Sequence, residues 1–455
     1  MDSDIRPLGK GVGNYRAWPS PLTGAAMQPG GGVFLDDFRF VYRMLDRSSG
    51  LAVFVIVSEH FECVLGLYFP ETETVVTASV VNPNHAFKVS FNANFLLQFF
   101  FPEGIRAILE RHFWEFLPEM PGYFSDGPYH VACILRGRPG VHLGHQLWNE
   151  LTALEVIAGA LPPAALPQLV VPNCKEGVEI YGPVDALFPE WAGRVERFED
   201  AVPALRGLAY RKRWLMARPA DVYVSQGLRN RLERVMPADT ALAREHSIVI
   251  GLRVENRTHV ALQPFLTALL QRVAGLVGPC TFVIDGHNRR MADDPDSVFE
   301  SHHEHTASMR PHDLERQIAA ALAAHFEGSQ TRVVSTICAP MAESIAKIRA
   351  SRFFIAFWGA GLAKYRWVAN LPGFVITSRW NLQYRNDLHI YDGSNYMESP
   401  TEQCFVDPQL VVDKMDAEPL VLVGSKLEPS YANFDLAADA MWPDLESFIL
   451  RHVNS

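Results

Sequence analysis

Several common classes are excluded by what this sequence lacks. Its six cysteines (Cys63, Cys133, Cys174, Cys280, Cys338 and Cys404) are scattered, and no two form a Cys-x-x-Cys. That excludes a zinc ribbon or dithiol redox pair and points to reduced, buried thiols. There is no Gly-x-Ser-x-Gly, so a serine hydrolase elbow is absent, and no His-Glu-x-x-His of a zinc hydrolase. No uninterrupted apolar run reaches the ~18 residues of a membrane span. The N-terminus carries no basic-then-apolar signal pattern, and a soluble, cytoplasmic chain is the expectation. Basic charge is also scarce: 41 Lys and Arg face 51 Asp and Glu, a net −10. The chain as a whole should therefore not bind nucleic acid or an anionic membrane surface.

What is present is core-forming sequence. Apolar residues make up 48% of 455, enough for two or three domains. Residues 1–126 carry short β-type runs at 51–58, 63–69, 74–81 and 95–101, then a helical stretch at 102–116. They read as a β-rich N-terminal module, a candidate pairing surface for a homodimer. From residue 127 the rhythm changes to strand, loop, helix. Strands are expected at 129–135, 168–172 and 221–225, with a helix at 146–159; residues 127–245 form one Rossmann-like lobe. The pattern then restarts over 246–430, with strands at 247–252, 280–284, 331–337, 353–357 and 373–377. Helices are expected there at 264–277, 314–326, 341–350 and 362–369. Residues 431–455 close the chain with a helix at 443–453, proline in its first turn, packing across the lobes. The fold class is α/β, with two Rossmann-like lobes after the β-rich module, and ligands are expected at the carboxyl ends of the strands.

Three constellations sit at such strand ends. The first is Gly140-Val-His142-Leu-Gly144-His145-Gln-Leu-Trp-Asn-Glu150, where a glycine-rich loop opens a helix. His142 and His145 titrate near neutral pH, and either can take a proton from an attacking hydroxyl. A packed histidine in a tight turn is the plainer alternative. Glu150 lies about 500° round an ideal α-helix from His145, off its face, as a partner of the site or a solvent-facing carboxylate. The second is Trp358-Gly359-Ala360-Gly361-Leu362, where a buried strand runs into small residues whose backbone amides can cradle a phosphate. The third is Arg253 with Asn256, joined by Asp285 and His287 after the next strand, as diphosphate-binding side chains. Arg257 reads as a solvated loop charge. The run Ser301-His-His-Glu-His305 lies in a polar loop with no frame for a metal, and Asp294-Pro-Asp296 is a poor metal clamp. No metal and no cofactor are expected, and arginines and helix starts must then stabilise a leaving diphosphate.

The segment His145-Gln-Leu-Trp-Asn-Glu150-Leu-Thr-Ala-Leu154 resembles the His-Trp-Leu-x-Asp-Glu-Leu-Pro-x-Leu helix of one glycosyltransferase family. That family includes the plant xylan arabinosyl- and xylosyltransferases, the EGF-domain O-GlcNAc transferase and bacterial members. Gly359-Ala-Gly-Leu362 with Leu371-Pro-Gly373 is similar to its Gly-Ala-Gly-Leu-Thr-Asn and Pro-Pro-Gly segments, and the likeness spans 129–377. This sequence carries Gln146, Asn149, Thr152, Ala363-Lys364 and Leu371 where the family has Trp, Asp, Pro, Thr-Asn and Pro. The resemblance implies a GT-B fold and an inverting, metal-independent hexosyl- or pentosyltransferase. Its partners would be a nucleotide-sugar donor and a glycan or protein acceptor.

Two other readings remain. A nicotinamide-dependent oxidoreductase would use Gly359-Ala-Gly361 as its dinucleotide loop, but Lys364 stands at the third glycine position and no acidic residue ends strand 373–377. A non-catalytic nucleotide- or carbohydrate-binding protein would keep the lobes without the chemistry.

Overall fold

In a computed structural model, residues 27–36, 39–46, 48, 52–58, 64–69, 74–79, 130–135, 143–171, 174, 178–199, 214–217, 223–244, 246–298, 310–414 and 429–453 are described. The chain divides into two compact units. The first comprises 1–141, 148–178 and 183–222; the second comprises 142–147, 179–182 and 223–455.

The first unit opens with a five-stranded antiparallel meander: β1 Met27–Asp36, β2 Arg39–Asp46, β3 Ala52–Ser58, β4 Val64–Phe69 and β5 Thr74–Ser79. Strands β3 to β5 fall on the expected runs. β1 was hidden by its Pro29 and glycines, and its ladder slips register between Pro29 and Gly31, where a missing N–H and missing side chains are tolerated. The strand expected at 95–101 and the helix at 102–116 lie outside the described residues.

The same unit holds a parallel sheet of β6 His130–Ile134, β7 Gln168–Val171, β8 Val195–Arg197 and β9 Trp214–Ala217, in the order β8-β7-β6-β9. The third expected strand, 221–225, is not the one beside β6. That place belongs to Trp214–Ala217; residues 221 and 222 lie outside the described residues, and among 223–225 Val224 makes an isolated bridge, to Met397. Ser225 accepts the Leu228 N–H (2.9 Å) and so caps the helix that starts at Gln226. The helix after β6 is compound. A turn, Leu143–His145, leads into a π-helical run, Gln146–Leu151, and then α1 Thr152–Ala160. A short helix, α2 Val184–Leu187, follows in this unit, and α3, Gln226–Val235, belongs to the second.

The second unit is built on β10 Ser247–Gly251, β11 Thr281–Asp285, β12 Arg332–Ser335, β13 Phe353–Phe357, β14 Gly373–Ile376 and β15 Gln403–Phe405. All pair in parallel, in the order β12-β11-β10-β13-β14-β15. Counted from β10 this is 3-2-1-4-5-6, the dinucleotide-fold order, with its crevice between β10 and β13. The crossings are α4 Leu262–Val277, α5 Pro311–His325, α6 Met341–Arg349, a π-helical run Lys364–Val368, and α7 Arg379–Tyr384. A short antiparallel pair, β16 Val412–Lys414 and β17 Asn433–Asp435, precedes α8 Ala438–His452.

Strands β10, β11, β13 and β14 are buried along their whole length, so both faces of the sheet are covered. One face carries Ile248, Ile250, Phe282, Ile284, Phe353, Ile355, Phe374 and Ile376 against Leu266, Leu269, Leu270 and Val273 of α4 and Leu445, Phe448 and Ile449 of α8. α8 thus belongs to this core, with Phe448 edge-on to Phe353 (5.6 Å). It begins before Pro443, which sits inside the helix, because Met441 and Trp442 extend its apolar face.

Candidate anion-binding site

The crevice between β10 and β13 is lined by the two loops that the sequence marked, and they meet. Arg253 leaves the carboxyl end of β10 and turns back on its own loop. Its Nε donates to the Asn256 carbonyl (2.7 Å) and its Nη2 to Asn256 Oδ1 (2.6 Å). Glu255 Oε2 lies 3.8 Å from the same nitrogen. Thus Asn256 is the bracket that sets the guanidinium, and Nη1 lands on Gly359, where any Cβ would collide with it. A side chain at this position would have to push the guanidinium aside, so glycine matters here through the approach of Arg253 and not through its backbone angle.

From Gly359 the chain climbs by tight turns: Leu362 N–H to Gly359 O (3.0 Å), Ala363 to Ala360 (3.1 Å), Lys364 to Gly361 (3.1 Å). Among the described residues the amides of Gly359, Ala360 and Gly361 donate to no carbonyl or side chain. Ala360 and Gly361 are half-buried, while Leu362 anchors the turn in the core. Open amides beside a guanidinium at the switch point of a parallel sheet are the elements of an anion cradle.

Two further guanidinium groups crowd the same place. Arg257 is not a solvated loop charge: it is half-buried, 5.2 Å from the Trp358 ring and 5.3 Å from the Tyr431 ring. Arg385 lies 4.2 Å from the Trp358 ring and grips Asp387 with both Nε (2.5 Å) and Nη2 (2.9 Å). The indole nitrogen of Trp358 is tied to the Leu388 carbonyl (3.4 Å), which fixes the ring that the two cations share. Burial first, then repulsion from Arg253 and Arg385, holds Arg257 well below the ordinary arginine range. Arg253 is lowered too, by burial, with Glu255 opposing and Arg385 adding to the effect. Three cations are thus gathered with Glu255 and Asp387 as the carboxylates in contact with them. An incoming anion would relieve that repulsion.

Asp285 does not reach this rim. Its carboxylate is fully buried and surrounded by Thr336 Oγ1 (2.6 Å), Ser344 Oγ (2.8 Å), Tyr365 OH (2.6 Å) and the Lys364 ammonium. Burial would raise its pKa, but Lys364 and the hydroxyl donors outweigh that and lower it. Lys364 also donates to Asn288 Oδ1 (2.6 Å) and the Gly286 carbonyl (3.2 Å). The pair ties the first residue of the π-helical run to the end of β11.

His287 is held between two carboxylates. Nδ1 lies 2.9 Å from Glu315 Oε1, Nε2 lies 3.3 Å from Glu255 Oε1, and its backbone N–H donates to Glu315 Oε2 (2.8 Å). Both ring nitrogens can donate only in the imidazolium. Burial pulls its pKa down, yet Glu315 and Glu255 together hold it well above the usual histidine value. Its ring is committed to Glu255 and Glu315, so it acts on the rim through Glu255.

The other constellation is placed in part. His142 and the run 301–305 lie outside the described residues. His145 is half-buried at the end of Leu143–His145, in the second unit with the arginine cluster. Gln146 is buried and its Oε1 accepts the Ile180 N–H (3.0 Å), while Tyr181 OH donates to the Leu143 carbonyl (3.0 Å). These two bonds fasten the helix start to 179–182. Burial, then the neighbouring Tyr391, raises the Tyr181 phenol; burial and then Asp387 raise Tyr391 in turn, with Arg385, Arg257 and Arg253 opposing. Glu150 is fully buried and is not a solvent-facing carboxylate. The expected angle between it and His145 also changes, because i→i+5 bonding in Gln146–Leu151 winds more residues into each turn than an α-helix does. Asp294-Pro-Asp296 is a turn in which Asp294 Oδ1 accepts the Asp296 N–H (2.9 Å).

Sequence reasoning missed Arg385, Glu315, Tyr391, Tyr431 and the Lys364–Asp285 pair. Only Lys364 carried a signal, by standing where the resembling family has asparagine.

No protein-family model matches this chain. No curated protein matches it either. Among solved structures it is similar to E. coli heptosyltransferase WaaC with ADP: 12% identity, TM-score 0.36, 70% of this chain and 99% of that one. E. coli ADP-heptose LPS heptosyltransferase II gives 11% identity and TM-score 0.33, covering 71% of this chain and 99% of that one. The pneumococcal O-GlcNAc transferase GtfA in complex with UDP and GlcNAc gives 12% and 0.22, covering 83% and 70%. Likenesses at these scores establish neither a family nor an activity.

Proposed function

We propose that this chain is a glycosyltransferase of GT-B type that moves a sugar from a nucleotide-sugar donor to a hydroxyl acceptor, with inversion and without a metal. The observation that carries the reading is the meeting of Arg253 and Gly359 at the β10/β13 switch point, beside three open amides. A diphosphate is the anion that such a cradle suits, because it spans a guanidinium and a row of N–H donors at once.

In this reading the donor diphosphate lies on the amides of Gly359–Gly361 and on Arg253, with Arg257 and Arg385 beside it. His145 takes the proton of the acceptor hydroxyl. The acceptor oxygen bonds to the anomeric carbon as the bond from that carbon to the diphosphate oxygen breaks. The charge that gathers on the leaving diphosphate is met by arginines already in place, the role a divalent metal plays elsewhere.

Calorimetry with ADP and UDP tests the binding half of the reading. Wild type should bind at least one of them, and Arg253→Ala should weaken it roughly 100-fold, the loss of charge-assisted bonds. Equal binding by Arg253→Ala would falsify the assignment. A chase across a panel of nucleotide sugars tests the chemistry, because a binding protein without activity would retain the nucleotide and release no sugar.

A further inference from the structure

The chain of contacts Glu315–His287–Glu255–Arg253 runs from the first turns of α5 to the edge of the anion cradle, and all four side chains are ionisable. Glu315 is buried, and it reaches His287 because Gly286 has no Cβ to obstruct its carboxylate. Glu255 is buried as well and is shared, one oxygen 3.3 Å from His287 Nε2 and the other 3.8 Å from Arg253 Nη2. It is the carboxylate that competes with a ligand for Arg253.

We infer that His287 is a positioning residue for donor binding: as an imidazolium it holds Glu255 and leaves Arg253 available to a diphosphate, and as a neutral ring it gives Glu255 over to Arg253. The inference rests on the reading of Arg253 as a diphosphate ligand. The groups facing His287 from its surroundings are Glu315 on α5, Glu255 on the loop after β10 and Cys338 on the loop after β12. Cys338 donates its N–H to the His287 carbonyl (2.8 Å) and interacts electrostatically with the ring. Lys364 touches the adjoining Gly286 carbonyl (3.2 Å) but is neutralised by Asp285. The carboxylates dominate, and the ring is cationic near neutral pH. Donor affinity should therefore fall as pH rises through the His287 transition, which lies above the ~6.5 of a free histidine.

The test is calorimetry with ADP-glucose and UDP-glucose, diphosphate diesters whose own charge is constant across histidine titration. Wild type should bind at least one roughly tenfold more tightly near pH 6 than on the alkaline side of the transition, the effect of one charge at such a range. His287→Gln should bind at the weak, alkaline level throughout. Glu255→Gln should bind at least as tightly as wild type with a shallower pH profile, and Glu255→Gln in the His287→Gln background should restore affinity. A merely structural role would make both single variants weak and the double variant weaker still. Wild-type-like affinity and pH profile in His287→Gln overturn the inference while leaving Arg253 as a ligand. If wild type binds neither diester at any pH, or Arg253→Ala binds as well as wild type, the underlying reading falls and the inference with it. Should His287→Gln not fold, the wild-type profile against that of Glu255→Gln decides.

Discussion

In both parallel sheets the first strand lies between the second and the fourth, and both place a π-helical run after a strand at that switch point. The two crossings are otherwise opposite in character. After β6, the turn Leu143–His145 offers an imidazole, and the helix behind it is secured by neutral bonds from Gln146 and Tyr181. After β13, the turn Trp358–Gly361 offers bare amides, and the helix behind it is secured by a buried ion pair, Lys364 with Asp285. Three guanidinium groups surround the second turn. On the proposed reading, the same topology yields one crossing that moves a proton and one that holds an anion. Topology places a site, and side chains choose its chemistry.

The comparison breaks most directly at His145. His145→Ala should cut transfer by between about 100- and 10,000-fold and leave nucleotide affinity within roughly twofold, measured by turnover beside calorimetry. If both quantities fall together, the two crossings do not divide the work. Lys364→Met probes the difference in what secures the helices. Leaving the Asp285 carboxylate buried without its cation should cost about 3 to 5 kcal/mol in denaturant unfolding. Gln146→Leu, which leaves the Ile180 N–H unsatisfied, should cost only about 1 to 3 kcal/mol. Gly359→Ala should weaken ADP or UDP roughly tenfold, because the added methyl displaces Arg253.

A smaller effect concerns pH. The folded His287 pKa is raised, so the stability it lends is fully present below the unfolded value of ~6.5 and is lost as pH rises through the folded one. The melting temperature of wild type should decline across that alkaline interval more than that of His287→Gln.

Much of this was legible in the sequence because fully buried parallel strands are written as continuous apolar runs. Residues 247–251, 353–357 and 373–376 announced themselves, and Arg253 and Gly359, which the fold brings together, stand just past two of them. The β15 strand and the Val195–Arg197 strand were missed since three residues at a sheet edge show no period. The π-helical runs were read as ordinary helix because five or six residues are too few to separate an i→i+5 from an i→i+4 winding. Asp285 looked like a rim residue, and only the convergence of Thr336, Ser344, Lys364 and Tyr365 from separate elements makes it internal. Arg385 had no signal at all, being delivered after α7 by a fold that periodicity does not specify. Charge partners assembled from distant segments are invisible to any reading of local pattern.

Arg257 adopts a left-handed backbone, with φ of 54°, at a position where glycine would be relaxed. Its retention there sets rigidity against electrostatics. Arg257→Gly should raise unfolding stability by up to about 1 kcal/mol and weaken diphosphate binding at the same time. On the proposed reading, a diphosphate lying among the three guanidinium groups relieves their mutual repulsion, so a bound nucleotide also stabilises the fold. Heat resistance measured without nucleotide would then understate that of the loaded protein.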